Sequence, residues 1–85
     1  MGVKGKRARA REGARRVLQA AAVEAYGMSG THVTRERVMQ RANVVDTKHF
    51  RAMAEYLEER GWIAEADADY SVFMVTGSGL DEATR

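Results

Sequence analysis

Residues 34–63 read TRERVMQRANVVDTKHFRAMAEYLEERGWI, and the fold turns on how the middle of that stretch is parsed. Thr34 is a good N-cap, because its hydroxyl can accept from a backbone N–H that lacks a helical partner. Glu36 then sits in the positive first turn, and Val33 can staple onto Val38 across the cap. Val38, Met39 and Ala42 form an inner face. Asn43 tolerates the left-handed backbone by which a chain leaves a helix. Only three residues later, Asp46 offers a second N-cap. From there Phe50, Met53, Ala54 and Leu57 recur on one side at about 100° per residue, with Lys48, Arg51, Ala52, Glu55 and Glu59 on the other. Gly61 stops this helix.

Toward the C-terminus, Trp62-Ile63 begins an extended segment, and Tyr70 to Val75 is a dense β-branched and aromatic run. Asp67-Ala68-Asp69 has turn character, so 62–66 should pair with 70–75 as a hairpin near 62–75. Thr76 can cap a last short turn over Leu80 to Ala83. Toward the N-terminus, residues from about Arg7 to Tyr26 favour helix, with Ala14, Val17, Leu18, Ala21 and Ala25 at helical spacing. Gly13 weakens the first turns, and Gly27 ends the helix. Residues 1–6 read as a flexible basic tail and 7–85 as one domain. The class expected is α+β, mostly α: helices near 8–26, 34–42 and 46–60, a hairpin and a short C-terminal turn.

Two helices joined by a tight turn, the second followed at once by a two-stranded wing, resemble the winged helix-turn-helix family. Ala42-Asn43-Val44-Val45-Asp46 is similar to the family's turn, with Val45 buried and Asp46 starting the recognition helix. Leu57-Glu58-Glu59-Arg60-Gly61-Trp62-Ile63 resembles the passage from recognition helix to wing. Tyr70 through Val75, then Thr76 and Gly79, resembles the closing strand and the start of a final helix. The likeness covers about residues 34–80. It departs from the family pattern at Val44, where many relatives have Gly, in a very basic first helix, and in an acidic wing. The resemblance implies a recognition helix in the major groove, with its N-terminal residues facing base edges. Thr47, Lys48, Arg51 and Ala52 occupy those positions. Lys48 and Arg51 would meet phosphate or guanine, and Thr47 or Ala52 a thymine methyl.

The charge pattern bears on the same point. The 85 residues carry a formal net charge of +2, but residues 1–16 carry +6 and residues 61–85 carry −4. Of 14 basic residues, 11 are arginine, the residue suited to bidentate phosphate contact. Lys4, Lys6, Arg7, Arg9, Arg11 and Arg15 form a basic arm for phosphates, with Arg35 as a further contact at the second helix. A solvated basic terminus is the plainer reading of the same residues. The expected function is a small DNA-binding transcriptional regulator acting on double-stranded DNA. The alternative is a winged-helix adaptor that binds protein, with a partner at the acidic wing.

Other classes have little to stand on. The chain has no cysteine and two distant histidines, which removes disulfides, thiol catalysis and zinc fingers and fits a reducing cytoplasm. No apolar run approaches membrane length. No nucleophile–base set or phosphate-cradling glycine loop is present, since Gly77-Ser78-Gly79 lacks a following Lys. No catalytic residue, metal or cofactor is expected. His32 and His49 read as ordinary polar residues. Glu65, Asp67 and Asp69 read as a solvated wing tip, because the glycine and distal glutamate of a calcium loop are missing. Trp62, Tyr70 and Phe73 read mainly as core, and Met28, Met39, Met53 and Met74 as core filler. A homodimer is a further expectation, with Ala20-Ala21-Ala22 on the first helix as its interface.

Overall fold

A computed structural model describes residues 2–85, with side chains described for Arg11 and for residues 13–85. In chain order the elements are α1 (Gly2–Glu24), β1 (His32–Thr34), α2 (Arg35–Ala42), α3 (Thr47–Glu59), β2 (Ile63–Ala64), β3 (Val72–Val75) and α4 (Gly77–Ala83). The described chain is α+β and mostly helical, with a three-stranded antiparallel sheet ordered β1-β3-β2. That arrangement is compatible with a winged-helix architecture.

Helix α1 is the spine against which α2, α3 and α4 pack. Ala14, Val17, Leu18, Ala21 and Ala25 are buried along it, as their spacing requires. Its helical backbone reaches Gly2, earlier than the start expected at Arg7, and it ends before Tyr26. Gly27 does not turn the chain alone: it is left-handed at φ 68°, but so is Tyr26 before it. The Gly27 N–H donates to the Ala22 carbonyl, which makes Tyr26 the first left-handed residue after the helix, at φ 56°. Ala20 and Ala21 are buried, so the small-residue surface expected to join two protomers is already used inside one.

The central turn is built as the caps dictate. Thr34 Oγ1 accepts from the Arg37 N–H, and Asn43 sits at φ 59°, ψ 42°. The Asp46 carboxylate accepts from the N–H groups of Lys48 at 2.8 Å and His49 at 3.4 Å. Val45 is the exception, being 93% exposed where burial was expected. Val44 packs against the core instead. With Asn43 taking the left-handed position, the half-buried side chain comes one residue earlier.

The expected hairpin forms, with Ile63 opposite Val75 and Ala64 opposite Met74. Its other edge carries β1, absent from the sequence reading, with Val33 opposite Phe73. Phe73 meets Phe50 of α3 at 6.1 Å between ring centroids, which joins sheet to helix. Tyr70 and Phe73 are core, and Trp62 is half-buried. Met53 is buried and Met39 packs on the core, but Met28 is exposed and fills nothing. At the C-terminal end, Thr76 Oγ1 donates to the Gly61 carbonyl and accepts from the Gly79 N–H. A Cβ on Gly79 would collide with the Trp62 carbonyl, so this glycine is required by closeness.

Candidate nucleic-acid interface

Burial of Phe50, Met53, Ala54 and Leu57 fixes the rotation of α3. The face directly opposite them carries Lys48, Ala52, Glu55 and Glu59, all exposed. Thr47, Lys48, Arg51 and Ala52 are all exposed over the first turns, where the sequence reading placed them. The next turns on that face are acidic. A polyanion can therefore approach the N-terminal half of α3, and Glu55 and Glu59 oppose it beyond.

Arg51 and Arg35 do something their spacing did not announce. Arg51 Nη2 donates to the Ala68 carbonyl at 3.1 Å, and Arg35 Nη1 donates to the Asp69 carbonyl at 3.0 Å. Two guanidiniums from different helices thus hold successive carbonyls of the loop between β2 and β3. Within that loop the Asp67 carboxylate accepts from the Ser71 N–H at 2.6 Å and from the Ser71 hydroxyl. The hydroxyl bond, with help from backbone N–H groups, holds the Asp67 carboxyl below its ordinary range. All three acids of the loop are exposed, but Asp67 is tied up in the turn and Glu65 faces His32 Nε2 at 3.7 Å. Tyr70 anchors the loop's far side, its hydroxyl donating to Glu58 Oε1 at 2.7 Å.

The basic arm divides. Lys4, Lys6, Arg7 and Arg9 have side chains outside the described residues. Arg11 is exposed, while Arg15 turns inward to Glu82 at 3.2 Å and to the Arg85 carbonyl. Arg16, which the sequence reading did not single out, is exposed and lines a groove of about 650 Å³ with Asn43, Val45 and His49. This groove separates α1 from the start of α3 and places a guanidinium beside the turn. Where α1 meets α3, Gly13 lies against the Met53 thioether, so a side chain there would require Met53 to move. The sequence signal for Arg16 is only its place in the basic stretch of residues 1–16, which carries +6.

No protein-family description, curated protein or solved structure matches this chain.

The aromatic residues do not form an open stacking platform. Tyr56 and Trp62 meet edge to face at 6.2 Å, and the Arg60 guanidinium lies 5.2 Å from the Trp62 ring centroid. Among the described residues, no helix is long and apolar enough to cross a membrane.

Proposed function

We propose that this chain is a winged helix-turn-helix protein that binds double-stranded DNA and serves as a small transcriptional regulator. The observation that carries the reading is the turn from Asn43 to Asp46. Its left-handed residue and N-cap set α3 beside α2 with Thr47, Lys48, Arg51 and Ala52 outward. The first two turns of α3 enter the major groove, and Lys48 is the exposed cation nearest the helix start. Arg16 and Arg11 on α1, with the arm before them, lie along phosphates. Arg51 ties the wing loop to α3 and Arg35 ties it to α2, which sets the wing beside the reading helix. The protein acts by binding, without catalysis or a cofactor, and in the cytoplasm.

A second reading is favoured by one feature, the acidic half of the α3 outer face at Glu55 and Glu59. A protein partner with a basic surface would dock there and on the acidic wing. Fluorescence anisotropy with random and selected duplexes across a salt series separates the two. DNA binding whose affinity falls steeply with salt supports the first reading. No binding at low salt, with the fold intact, moves the assignment to the second.

A further inference from the structure

Among the described residues, three of the five large exposed apolar side chains, Val23, Tyr26 and Met28, lie within six residues at the end of α1. Tyr26 is the most exposed of these, at 85%, and its backbone is left-handed. For a bulky side chain that conformation is disfavoured, and glycine would adopt it at little cost. An exposed ring contributes no core packing to offset the strain. The backbone turn itself caps α1, since the Tyr26 and Gly27 N–H groups close on the Val23 and Ala22 carbonyls, so it is the exposed ring that is left without a partner.

Val23 and Tyr26 line a groove of about 360 Å³ together with Glu24, His32, Arg37 and Arg41, and Glu65 stands 3.7 Å from His32 Nε2. Both arginines bond Glu24 through Nε, at 2.9 Å and 2.7 Å. One carboxylate thus serves two guanidiniums, and that carboxylate is sheltered while Arg37 is 73% exposed. The Nη ends of both forks have no partner among the described residues. They are held in place by their Nε bonds, which leaves them ready to take a carboxylate in the bidentate manner. The groove therefore pairs apolar anchors with two oriented guanidiniums that share one sheltered carboxylate, which leaves an excess of positive charge.

We propose that this face, on the α1 end and α2 side, binds an acidic peptide segment carrying an aliphatic or aromatic side chain. The apolar side chain packs between Val23 and Tyr26, and Asp or Glu residues flanking it take Arg37 and Arg41. DNA phosphate fits the arginines but gives Val23 and Tyr26 nothing to cover. A second copy of the chain brings fewer acids than its count implies, because Glu82 is tied to Arg15 and Asp67 to Ser71. The site is independent of the DNA-binding reading.

The test uses the full ¹⁵N-labelled chain and synthetic peptides of about twelve residues that interleave Glu and Asp with Leu and Phe. Control peptides carry Lys for the acids or Ser for the apolar residues. The interleaved acidic peptide should move the amide signals of Val23, Tyr26, Thr34, Arg37 and Arg41, and both controls should not. Tyr26→Gly should weaken binding roughly tenfold while raising the melting temperature, since it removes anchor and strain together. Val23→Ser should weaken binding without relief of strain. The proposal is overturned by silence at these signals up to peptide concentrations on the order of 1 mM. It is equally overturned if a DNA duplex moves the same signals and peptide fails to compete, or if they shift with protein concentration alone.

Discussion

Gly79 and Tyr70 show how single residues hold this chain together. A Cβ at Gly79 meets the backbone carbonyl of Trp62, which no rotamer change can move aside. Gly79→Ala should therefore cost about 1–3 kcal/mol, as overpacking does. Gly77→Ala, where a Cβ meets nothing, is the control. Urea denaturation of both variants checks this, and equal midpoints would mean that α4 shifts to make room. Tyr70 carries a different load. Burial, then the hydrogen bond and charge of Glu58, push its hydroxyl up to about 12. A raised value makes the contribution to stability complete below the unfolded value near 10 and lost as pH rises through about 12. Ultraviolet titration should show a phenolate transition near pH 12 that vanishes in Tyr70→Phe. A transition of unchanged position in that variant would detach Tyr70 from Glu58.

The elements differ in how openly their causes are written in sequence. Helices α2 and α3 were legible because their caps, Thr34, Asn43 and Asp46, stand at fixed offsets from a periodic apolar face. The hairpin was legible from β-branched residues on either side of Asp67-Ala68-Asp69. Strand β1 was not, since its three residues pair with β3 some forty positions away and offer no local turn signal. Val45 was misplaced because a one-residue change in turn geometry exchanges inward and outward side chains. In the candidate site, exposure of Thr47, Lys48, Arg51 and Ala52 followed from helix rotation alone. The wing contacts of Arg35 and Arg51 depend on tertiary closeness that no spacing encodes. Glu24 belongs to this scale too, for it joins α1 to α2. A carboxylate at a helix C-terminus opposes the helix dipole, and the two guanidiniums offset this. Hydrogen bonds from Arg41, then Arg37, hold its carboxyl below its ordinary value of 4.5. A lowered value means stability that is present above the ordinary carboxylate range and lost as pH falls through the folded value. Glu24→Gln should thus be less stable than the parent at neutral pH, with the gap closing in acid. Denaturant midpoints measured across that range check it, and a gap that persists in acid would give Glu24 a role other than charge.

At the scale of the whole molecule, charge and shape divide the proposed DNA contact into two parts that fail differently. Lys4, Lys6, Arg7, Arg9 and Arg11 precede Ala14, the first buried apolar side chain of the described α1 core. Replacing all five with Gln should leave the denaturation midpoint near that of the parent. Phosphate contacts carry no sequence information, so binding should weaken by a similar factor on every duplex. The salt slope should shrink by roughly 0.9 for each phosphate that the variant no longer neutralises. Arg51 stands where base edges and wing meet, so its removal has two effects to separate. Arg51→Ala takes away a candidate base reader and frees the Ala68 carbonyl; Arg35→Ala frees the neighbouring Asp69 carbonyl and leaves Arg51 in place. A loss of roughly 1–3 kcal/mol on a selected duplex, and far less on a scrambled one, is expected for Arg51→Ala. Arg35→Ala should weaken both duplexes alike, since a looser wing shifts affinity without reading a base. Anisotropy titrations of the three variants on the two duplexes, over one salt series, give every quantity needed. Equal losses on both duplexes for Arg51→Ala would leave Arg51 as a wing tether and move base reading to Thr47, Lys48 and Ala52.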